Sequence, residues 1–461
     1  MRAGGAAAIA VAGIVAAVVL DASPAAAHGV GGRTDLPLPL WLFTNGAAIA
    51  LLVSFVALRA LWPRPRLAAA AEGRRLPEAI QRAAGPLAVV ARAAGLGAFL
   101  VVLSAAIWGV DSTPDNLAPV AVYVVFWVGI PIASVVLGDV WRVLNPFDTL
   151  AALAGWARAR VRTTAGPRRD DPAGPSWTAP VLLFSFVWLE LAYVEPSRPR
   201  AVAAWLVAYS AVVLGATARW GRGWLRHGEG FTVLFGLLAH IAPLSRDERG
   251  TLRLRPPLSG LAHVEATPAV TGVIVVALGS TTFDGLGRTE FWLDVIGGRT
   301  DWQLTALNTV GLVWVIGIVW LAYQFAVRAA ARIGDRSITE TSLAFVASLV
   351  PIVFAYAVAH YFSLLVFEGQ GALALASDPY GRAWNLFGTA DNTIDYRAVS
   401  TATIAYVQVA AIVVGHVAAV VSAHDRSVEL WPRRLAERTQ YPMLAVMIAY
   451  TVGGLAILLG G

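Results

Sequence analysis

The amino-acid sequence predicts an all-α protein, a polytopic transmembrane helical bundle, and its composition carries that prediction. The 461 residues are 57% hydrophobic and only 14% charged, whereas charged residues make up about a quarter of an ordinary soluble domain. Long apolar runs recur along the chain, and about 20 apolar residues are enough for a helix to cross a bilayer. The 35 basic residues are all arginine and lie mostly between these runs. The net charge of +6 therefore indicates membrane orientation and attraction to anionic lipid, not nucleic-acid binding.

The N-terminal residues 1–27 have the pattern of a secretory signal. Arg2 precedes an apolar run over 6–20 that is short for a span, and the small residues Ala25 and Ala27 fit a cleavage site. We therefore predict a signal peptide over 1–27 and a single transmembrane domain over 28–461. The alternative is an uncleaved first helix, which gives the same orientation to everything after it. Cleavage would leave His28 at the N-terminus, where its α-amine and ring nitrogen would be able to chelate a copper ion.

Ten spans are predicted in the mature chain, in addition to the signal. The loops that are dense in arginine alternate with loops that are poor in it, and the positive-inside rule places the dense ones in the cytoplasm. This orientation puts the mature N-terminus and the C-terminus outside, with the bilayer as the principal partner. The predicted spans lie near residues 40–61, 93–110, 118–137, 177–194, 201–218, 269–283, 302–325, 342–367, 401–423 and 443–459.

Three further segments are expected at the inner side. The apolar run 231–244 has only 14 residues and basic loops on both flanks, so we predict a re-entrant or interfacial segment that contains His240. Asn145 followed by Pro146 has the pattern of a helix N-cap and first turn, and it predicts an amphipathic helix on the inner leaflet. A linker with chance periodicity is the alternative there. A second amphipathic stretch is predicted over 431–442.

The span 342–367 holds the ionisable residue that draws most attention. Apart from His360 it has no charged side chain, and His360 would lie roughly 10 Å below the outer surface. An ionisable ring at that depth is costly without a partner. Glu190 and Asp284 fall near the outer ends of their own spans, so we predict that the three share an outer-leaflet cavity. The residues expected around them are Ser280, Thr281, Thr282, Tyr361 and Glu368.

Such a trio suits two kinds of chemistry. A carboxylate beside a membrane-embedded histidine serves as a proton relay, and three ligands of this type suit a divalent metal. The alternative is structural: Glu190 and Asp284 reach up to water at the headgroups, and His360 donates a hydrogen bond to a carbonyl. The sequence has no cysteine, so thiolate metal sites and iron–sulfur clusters are excluded. Walker, GxSxG and HExxH patterns are absent from it as well.

The remaining histidines are predicted to lie on the inner side. His240, His416 and His424 would together form an inner metal or proton site, whereas surface histidines without a role are the alternative. We do not expect a haem between His360 and His416, because their predicted depths place them in opposite leaflets.

Three strings in the sequence carry a resemblance to a known family. They are GDVWRVLNPFDTLA at 138–151, HYFSLLVFEGQ at 360–370 and GHVAAVVSAHDR at 415–426. There the chain resembles a family of actinobacterial multi-span membrane proteins labelled fenitrothion hydrolase. The resemblance implies hydrolysis of an organophosphate ester and a location in the bacterial cytoplasmic membrane. It assigns no catalytic residue, and seven histidines scattered over two leaflets do not show the clustered two-metal pattern of phosphotriesterases.

Two functions follow from these observations. The first is a permease or ion-coupled membrane protein that uses Glu190, Asp284 and His360 as a protonatable site for a small molecule or ion. The second is an intramembrane, metal-dependent hydrolase of organophosphate-type esters, with the same residues as metal ligands or general base.

Overall fold

The structure is a computed structural model and describes residues 37–161, 174–247 and 249–460. The predicted signal peptide and His28 lie outside the described residues. The fold is all-α, as predicted, with one small sheet. Its helices are, in chain order, α1 (Leu40–Leu61), α2 (Leu67–Ala71), α3 (Glu78–Trp108), α4 (Leu117–Leu137, π-helical over Ala121–Gly129), α5 (Trp141–Leu144), α6 (Pro146–Val161), α7 (Thr178–Leu191), α8 (Pro199–Trp220), α9 (Leu225–Gly228), α10 (Gly230–Ala239), α11 (Pro268–Leu286), α12 (Glu290–Ile296), α13 (Asp301–Gly334), α14 (Ile338–Phe345), α15 (Val350–Ser377), α16 (Thr401–Leu430) and α17 (Arg433–Gly460).

Nine apolar helices in the described part of the chain are long enough to cross a bilayer, which makes this a multi-span membrane protein. They are α1, α3, α4, α8, α11, α13, α14 with α15, α16 and α17. Helices α11 and α15 are the most buried and form the centre of the bundle, while α3 lies at its periphery. We call the two ends of the bundle the outer face and the inner face, after the prediction from the arginine distribution.

One of the ten predicted spans is shorter than expected. The run 177–194 forms α7, which has only 14 residues and is therefore about 21 Å long. Pro196 and Pro199 follow in the next turn, and proline disfavours helical backbone in the residue before it. Most of α7 is buried against α10 and α11. Because protein covers it, α7 does not have to match the bilayer thickness by itself.

A three-stranded antiparallel sheet joins loops at the inner face. The strands are β1 (Arg74–Arg75), β2 (Leu244–Arg246) and β3 (Leu252–Leu254), in the spatial order β1-β3-β2. Strand β1 belongs to the loop after α1, and the other two belong to the loop after α10. The sheet therefore places both of these arginine-rich loops on the same side of the bundle.

The predicted re-entrant segment forms the short helix α10 and not a span. The helix ends at Ala239, and the chain then turns into β2, so the helical part is shorter than the predicted run 231–244. At its start, Thr232 Oγ1 accepts a hydrogen bond from Asn145 Nδ2 at 3.0 Å. At its end, a Cβ on Gly138 would come within 2.6 Å of the Leu244 carbonyl oxygen. Both ends thus contact the connection that follows α4, and the segment enters and leaves on one side.

The predicted N-cap at Asn145 is confirmed. Its side-chain Oδ1 accepts hydrogen bonds from the backbone N–H of Phe147 at 2.8 Å and of Asp148 at 3.2 Å. The first turn of α6 is inserted into the protein, because Asn145 and Phe147 are buried, whereas Trp156 further along the helix is exposed. The helix is therefore anchored at its start and superficial towards its end.

Several helix ends differ from the prediction. Helix α3 begins at Glu78 and not near residue 93, α13 continues to Gly334 and not to 325, and α15 continues to Ser377 and not to 367. At the inner side, the predicted amphipathic stretch 431–442 and the last span form one helix, α17, with Pro442 inside it. Side-chain hydrogen bonds hold its first turns to α16: Ser427 Oγ donates to the Ala436 carbonyl at 2.8 Å.

The orientation can be tested with single cysteines, because the native chain has none. We expect a cysteine at Ser245 to react only with reagents that enter the cytoplasm, since β2 lies in the arginine-rich sheet. A cysteine at Ala390 should react with an impermeant maleimide added from outside. Labelling of position 245 from outside would show that residues 231–244 cross the membrane and would refute the predicted orientation.

Candidate functional site

The structure brings Glu190, Asp284 and His360 to one place near the outer face. Glu190 is in the last turn of α7, Asp284 is in the last turn of α11, and His360 lies within α15. Beside Asp284, Gly285 faces side chains of two other helices: an added Cβ would lie 2.7 Å from Ile457 Cγ2 of α17 and 3.3 Å from His360 Cε1 of α15. A larger residue at 285 would therefore crowd the Ile457 and His360 side chains.

Two direct contacts connect these side chains. The Nδ1 atom of His360 lies 3.2 Å from Asp284 Oδ2, although the two atoms lack the alignment of a hydrogen bond. The hydroxyl of Tyr361 donates a hydrogen bond to Glu190 Oε1 at 3.0 Å. Because His360 and Tyr361 are consecutive residues of α15, this helix contacts both carboxylates at the same level.

The two carboxylates differ in how they are neutralised. Arg288, one helical turn after Asp284, donates to Asp284 Oδ1 at 3.0 Å and to Oδ2 at 3.2 Å. Glu190 has no basic partner among its hydrogen bonds, and its Oε2 atom is buried without any donor. A buried carboxylate oxygen without a donor is costly when it is charged. Glu190 is therefore the position in this group where a proton or another cation would be most stabilising.

These side chains surround a cavity of about 400 Å³, which we call the chamber. Next to it lies a larger cavity of about 1110 Å³, the vestibule, between α4, the end of α15 and the outer loop after α15. The two cavities share the lining residues Tyr123, Ser197, Leu364, Glu368 and Tyr396. The chamber is lined in full by Tyr123, Glu190, Leu191, Pro196, Ser197, Asp284, Arg288, His360, Tyr361, Ser363, Leu364, Phe367, Glu368 and Tyr396.

The vestibule lining has a negative charge. Four carboxylates contribute to it, and the described residues that line it include no arginine or histidine. The aromatic side chains of Trp384 and Tyr396 are also part of the wall and are exposed. A surface of this kind attracts cations and repels anions before they reach the chamber. The four carboxylates belong to Asp115, Glu368, Asp378 and Asp391.

The surroundings of the trio agree only in part with the prediction. Tyr361 and Glu368 line the chamber as expected. Ser280 and Thr281 do not, because their hydroxyls donate to the Ala277 carbonyl of their own helix. The hydroxyl of Thr282 lies 2.6 Å from that of Tyr450 and is also directed elsewhere.

The sequence analysis did not identify Arg288 and Tyr123, which also line the chamber. A signal for Arg288 was present, because it follows Asp284 by four residues and such a pair faces the same side of a helix. For Tyr123 the sequence offers no comparable signal, since its place in the chamber depends on how α4 packs against α7 and α15.

The inner histidines do not form a joint site. His240 Nδ1 lies 2.8 Å from the Gly236 carbonyl oxygen. The ring nitrogens of His424 lie 3.0 Å from Gln440 Oε1 and 3.0 Å from the Trp62 carbonyl oxygen. Within the described residues, no group of three or more histidine, aspartate or glutamate side chains is arranged to hold a metal ion. The predicted inner metal site of His240, His416 and His424 is thus not assembled.

His416 lies closer to His360 than the sequence analysis expected. Both rings contact the ring of Tyr356, with centroid distances of 6.5 Å for His360 and 6.0 Å for His416. The large separation of His360 and His416 along the membrane normal that the sequence predicted is therefore wrong. The reason is that α15 continues to Ser377, ten residues beyond the predicted span end, so His360 lies 17 residues from the outer end of α15 and His416 lies 15 residues from the start of α16.

Glu229 is a second buried carboxylate, and it was not predicted from the sequence. Glu229 is fully buried and caps α10, accepting hydrogen bonds from the backbone N–H of Phe231 at 3.0 Å and of Thr232 at 2.7 Å. The hydroxyls of Tyr209 and Thr232 also donate to it. All its oxygens have donors, so Glu229 fits a structural role, whereas Glu190 has an oxygen left free.

Comparisons of the chain with models of protein families, with curated proteins and with solved structures gave no match.

Proposed function

We propose that the protein is a proton-coupled permease of the bacterial cytoplasmic membrane and that Glu190, Asp284 and His360 form its protonatable site. The observation that carries the proposal is the buried, donor-free Oε2 atom of Glu190 at a cavity that adjoins the vestibule. Ionisable groups inside a membrane bundle mark ion pathways and proton relays. Here the group has access from one face of the bundle through a wide cavity.

Charge balance supports proton binding at this site. Arg288 compensates Asp284, while Glu190 has only the neutral hydroxyl of Tyr361 as a donor. A proton on Glu190 would remove an uncompensated charge from the protein interior. Release of that proton would restore the negative charge of Glu190 in the chamber. This charge would attract a cation from the vestibule, which is lined by carboxylates. The site therefore has two charge states, as coupling between a proton and a solute requires.

A second pocket supports transport and not only binding. It has a volume of about 450 Å³ and lies at the inner face, between α2, the turn around residues 261–266, α14 and the inner end of α16. We call it the inner pocket. It reaches Ser348, in the 3₁₀ turn just before α15, and Ser422 of α16. The chamber thus reaches α15 from the outer face of the bundle, and the inner pocket approaches it from the inner face. Alternating access uses openings on these two sides of the membrane.

The proposal can be tested without knowing the solute. Protein in proteoliposomes on a solid-supported membrane is exposed to a rapid step to lower pH, and the transient charge displacement is recorded. We expect a transient in the native protein and its loss in Glu190→Gln, which keeps the shape of the side chain and removes its titration. The matched control is Glu195→Gln, at an exposed glutamate that pairs with Arg198 at 3.0 Å.

Two outcomes would count against proton coupling. A transient of native size in Glu190→Gln would remove the proposed site. Hydrolysis of a chromogenic phosphotriester by the purified protein, lost in Glu190→Gln and kept in Glu195→Gln, would favour the hydrolase that the family resemblance implies. In that case Glu190 would act as a general base and not as a transport site.

A further inference from the structure

We propose that His416 is a second proton-binding station, located between the chamber and the inner pocket. The inference rests on the proposed function and adds to it the route by which a proton leaves the chamber. It starts from an unusual position: the His416 side chain is fully buried, and its Nε2 atom has no hydrogen-bond partner in the part of the chain that the structure describes. Buried polar atoms without partners are rare in folded proteins and call for an explanation.

The hydrogen bond of the other ring nitrogen assigns the tautomer. His416 Nδ1 lies 2.8 Å from the carbonyl oxygen of Ile412. A carbonyl only accepts hydrogen bonds, so Nδ1 carries a hydrogen atom and donates it. In the neutral ring Nε2 then has a free lone pair, and this atom is where a proton would add.

The surroundings of His416 connect it to the chamber. The titratable groups that face it are Tyr356 of α15 and Tyr450 of α17, with ring centroids at 6.0 Å and 6.3 Å. The Tyr356 ring also stacks on His360, which lines the chamber. His416 is therefore separated from the chamber by a single tyrosine ring, and no charged side chain is paired with it.

Helix packing places His416 midway between the two cavities. Beside it, a Cβ on Gly415 would lie 2.2 Å from Ala355 Cβ, so α15 and α16 are in close contact at this level. The chamber reaches His360 within α15, and the inner pocket reaches Ser348 in the 3₁₀ turn just before α15, a separation of about 18 Å at the helical rise. Ala355 lies between these two residues, and His416 therefore lies at a level between the two cavities. A proton that moves from the chamber to the inner pocket would otherwise have no group to bind at this level.

The proton step is balanced and needs no other reactant. A proton that leaves the chamber binds to the lone pair of Nε2 and converts His416 to an imidazolium. The Nδ1–H bond to the Ile412 carbonyl is kept throughout, so the ring does not have to turn. Loss of the proton from Nε2 towards the inner pocket restores the neutral ring. The only bonds that change are the O–H bond that holds the proton on Glu190 in the chamber, which breaks, and the Nε2–H bond, which forms and then breaks.

The test compares two replacements in proteoliposomes. His416→Asn retains an amide N–H near the position of Nδ1 but has no atom in place of Nε2, and His416→Phe retains a ring for packing against the tyrosines. We expect both to keep the transient produced by a step to lower pH, because the chamber is intact. Sustained proton flux driven by a membrane potential should fall about 100-fold or more, the size expected for loss of a positioned proton-transfer group.

The control is Thr451→Val, which removes a buried hydroxyl that donates to the Met447 carbonyl at 2.7 Å in the same bundle. It should leave the flux unchanged. Native flux in His416→Asn would overturn the inference while the pH-step transient still supports the chamber. If the native protein shows no flux, ¹⁵N spectra of labelled histidine in bilayers test the inference instead. The inference is also overturned if the Nε2 signal of His416 shows a neutral ring at every pH at which the protein is folded.

Discussion

Replacing His360 by glutamine is expected to preserve the fold and to reduce proton coupling about 100-fold or more, as loss of a positioned proton-transfer group does. Glutamine is polar and of similar size, so it keeps a polar group beside Asp284 Oδ2, which lies 3.2 Å from His360 Nδ1 in the native protein. It has no titratable nitrogen, however. Activity should therefore be lost through chemistry and not through unfolding.

Replacing His360 by leucine gives the complementary result. Leucine removes the polar contact of Asp284 and leaves it with Arg288 alone, so we expect a loss of stability of about 1–3 kcal/mol. Thermal unfolding in detergent, measured for both variants together with the pH-step transient, separates the two effects. Native coupling in His360→Gln combined with a destabilised His360→Leu would reduce His360 to a structural residue.

Replacing Glu229 by alanine is expected to give the largest loss of stability, about 3–5 kcal/mol, as when one member of a buried charged group is removed. Alanine would leave several donors without an acceptor in the protein interior: the two N–H groups at the start of α10 and the hydroxyls of Tyr209 and Thr232. Glu229→Gln keeps one acceptor oxygen and should have an intermediate effect. The apparent midpoint of thermal unfolding in a fixed detergent measures the order of the three proteins.

A matched control for Glu229 is Glu290, an exposed residue in the first turn of α12. Its removal should change stability by no more than about 0.5 kcal/mol, as for most surface substitutions. Equal midpoints for Glu229→Ala and Glu290→Ala would show that α10 does not depend on its cap. Loss of proton coupling in a stable Glu229→Gln would give this residue a functional role as well.

Several features of this protein could be read from residues that are close together in the sequence. The apolar runs predict the nine long apolar helices of the described part of the chain. Asn145 predicts the start of α6, and the hydrogen bonds that its side chain accepts from Phe147 and Asp148 confirm it. The length of the run 231–244 and its basic flanks predict that this segment does not cross. These features are local because the transfer of a segment from water to lipid depends on its own composition and length.

The depth of a side chain in the bilayer is also nearly local. Counting residues from the span ends was enough to place Glu190, Asp284 and His360 at a similar level, and the structure brings them together. The same counting failed for His416, because α15 continues to Ser377, well beyond the end at 367 from which the depth of His360 was counted. Position along the membrane normal can be estimated from one helix, but the relative shift of two helices cannot.

Only the tertiary structure decided which side chains meet and which lack a partner. Asp284 lies beside His360, which is far from it in the sequence, and Glu229 accepts a hydrogen bond from Tyr209, which is 20 residues away. The Oε2 atom of Glu190 and the Nε2 atom of His416 are buried, and no hydrogen-bond partner from the described residues reaches either of them. Helix rotation and neighbours are set by packing between segments far apart in sequence. The sequence by itself therefore determined a membrane bundle with ionisable residues at depth, and packing determined which of them lack a hydrogen-bond partner among the described residues.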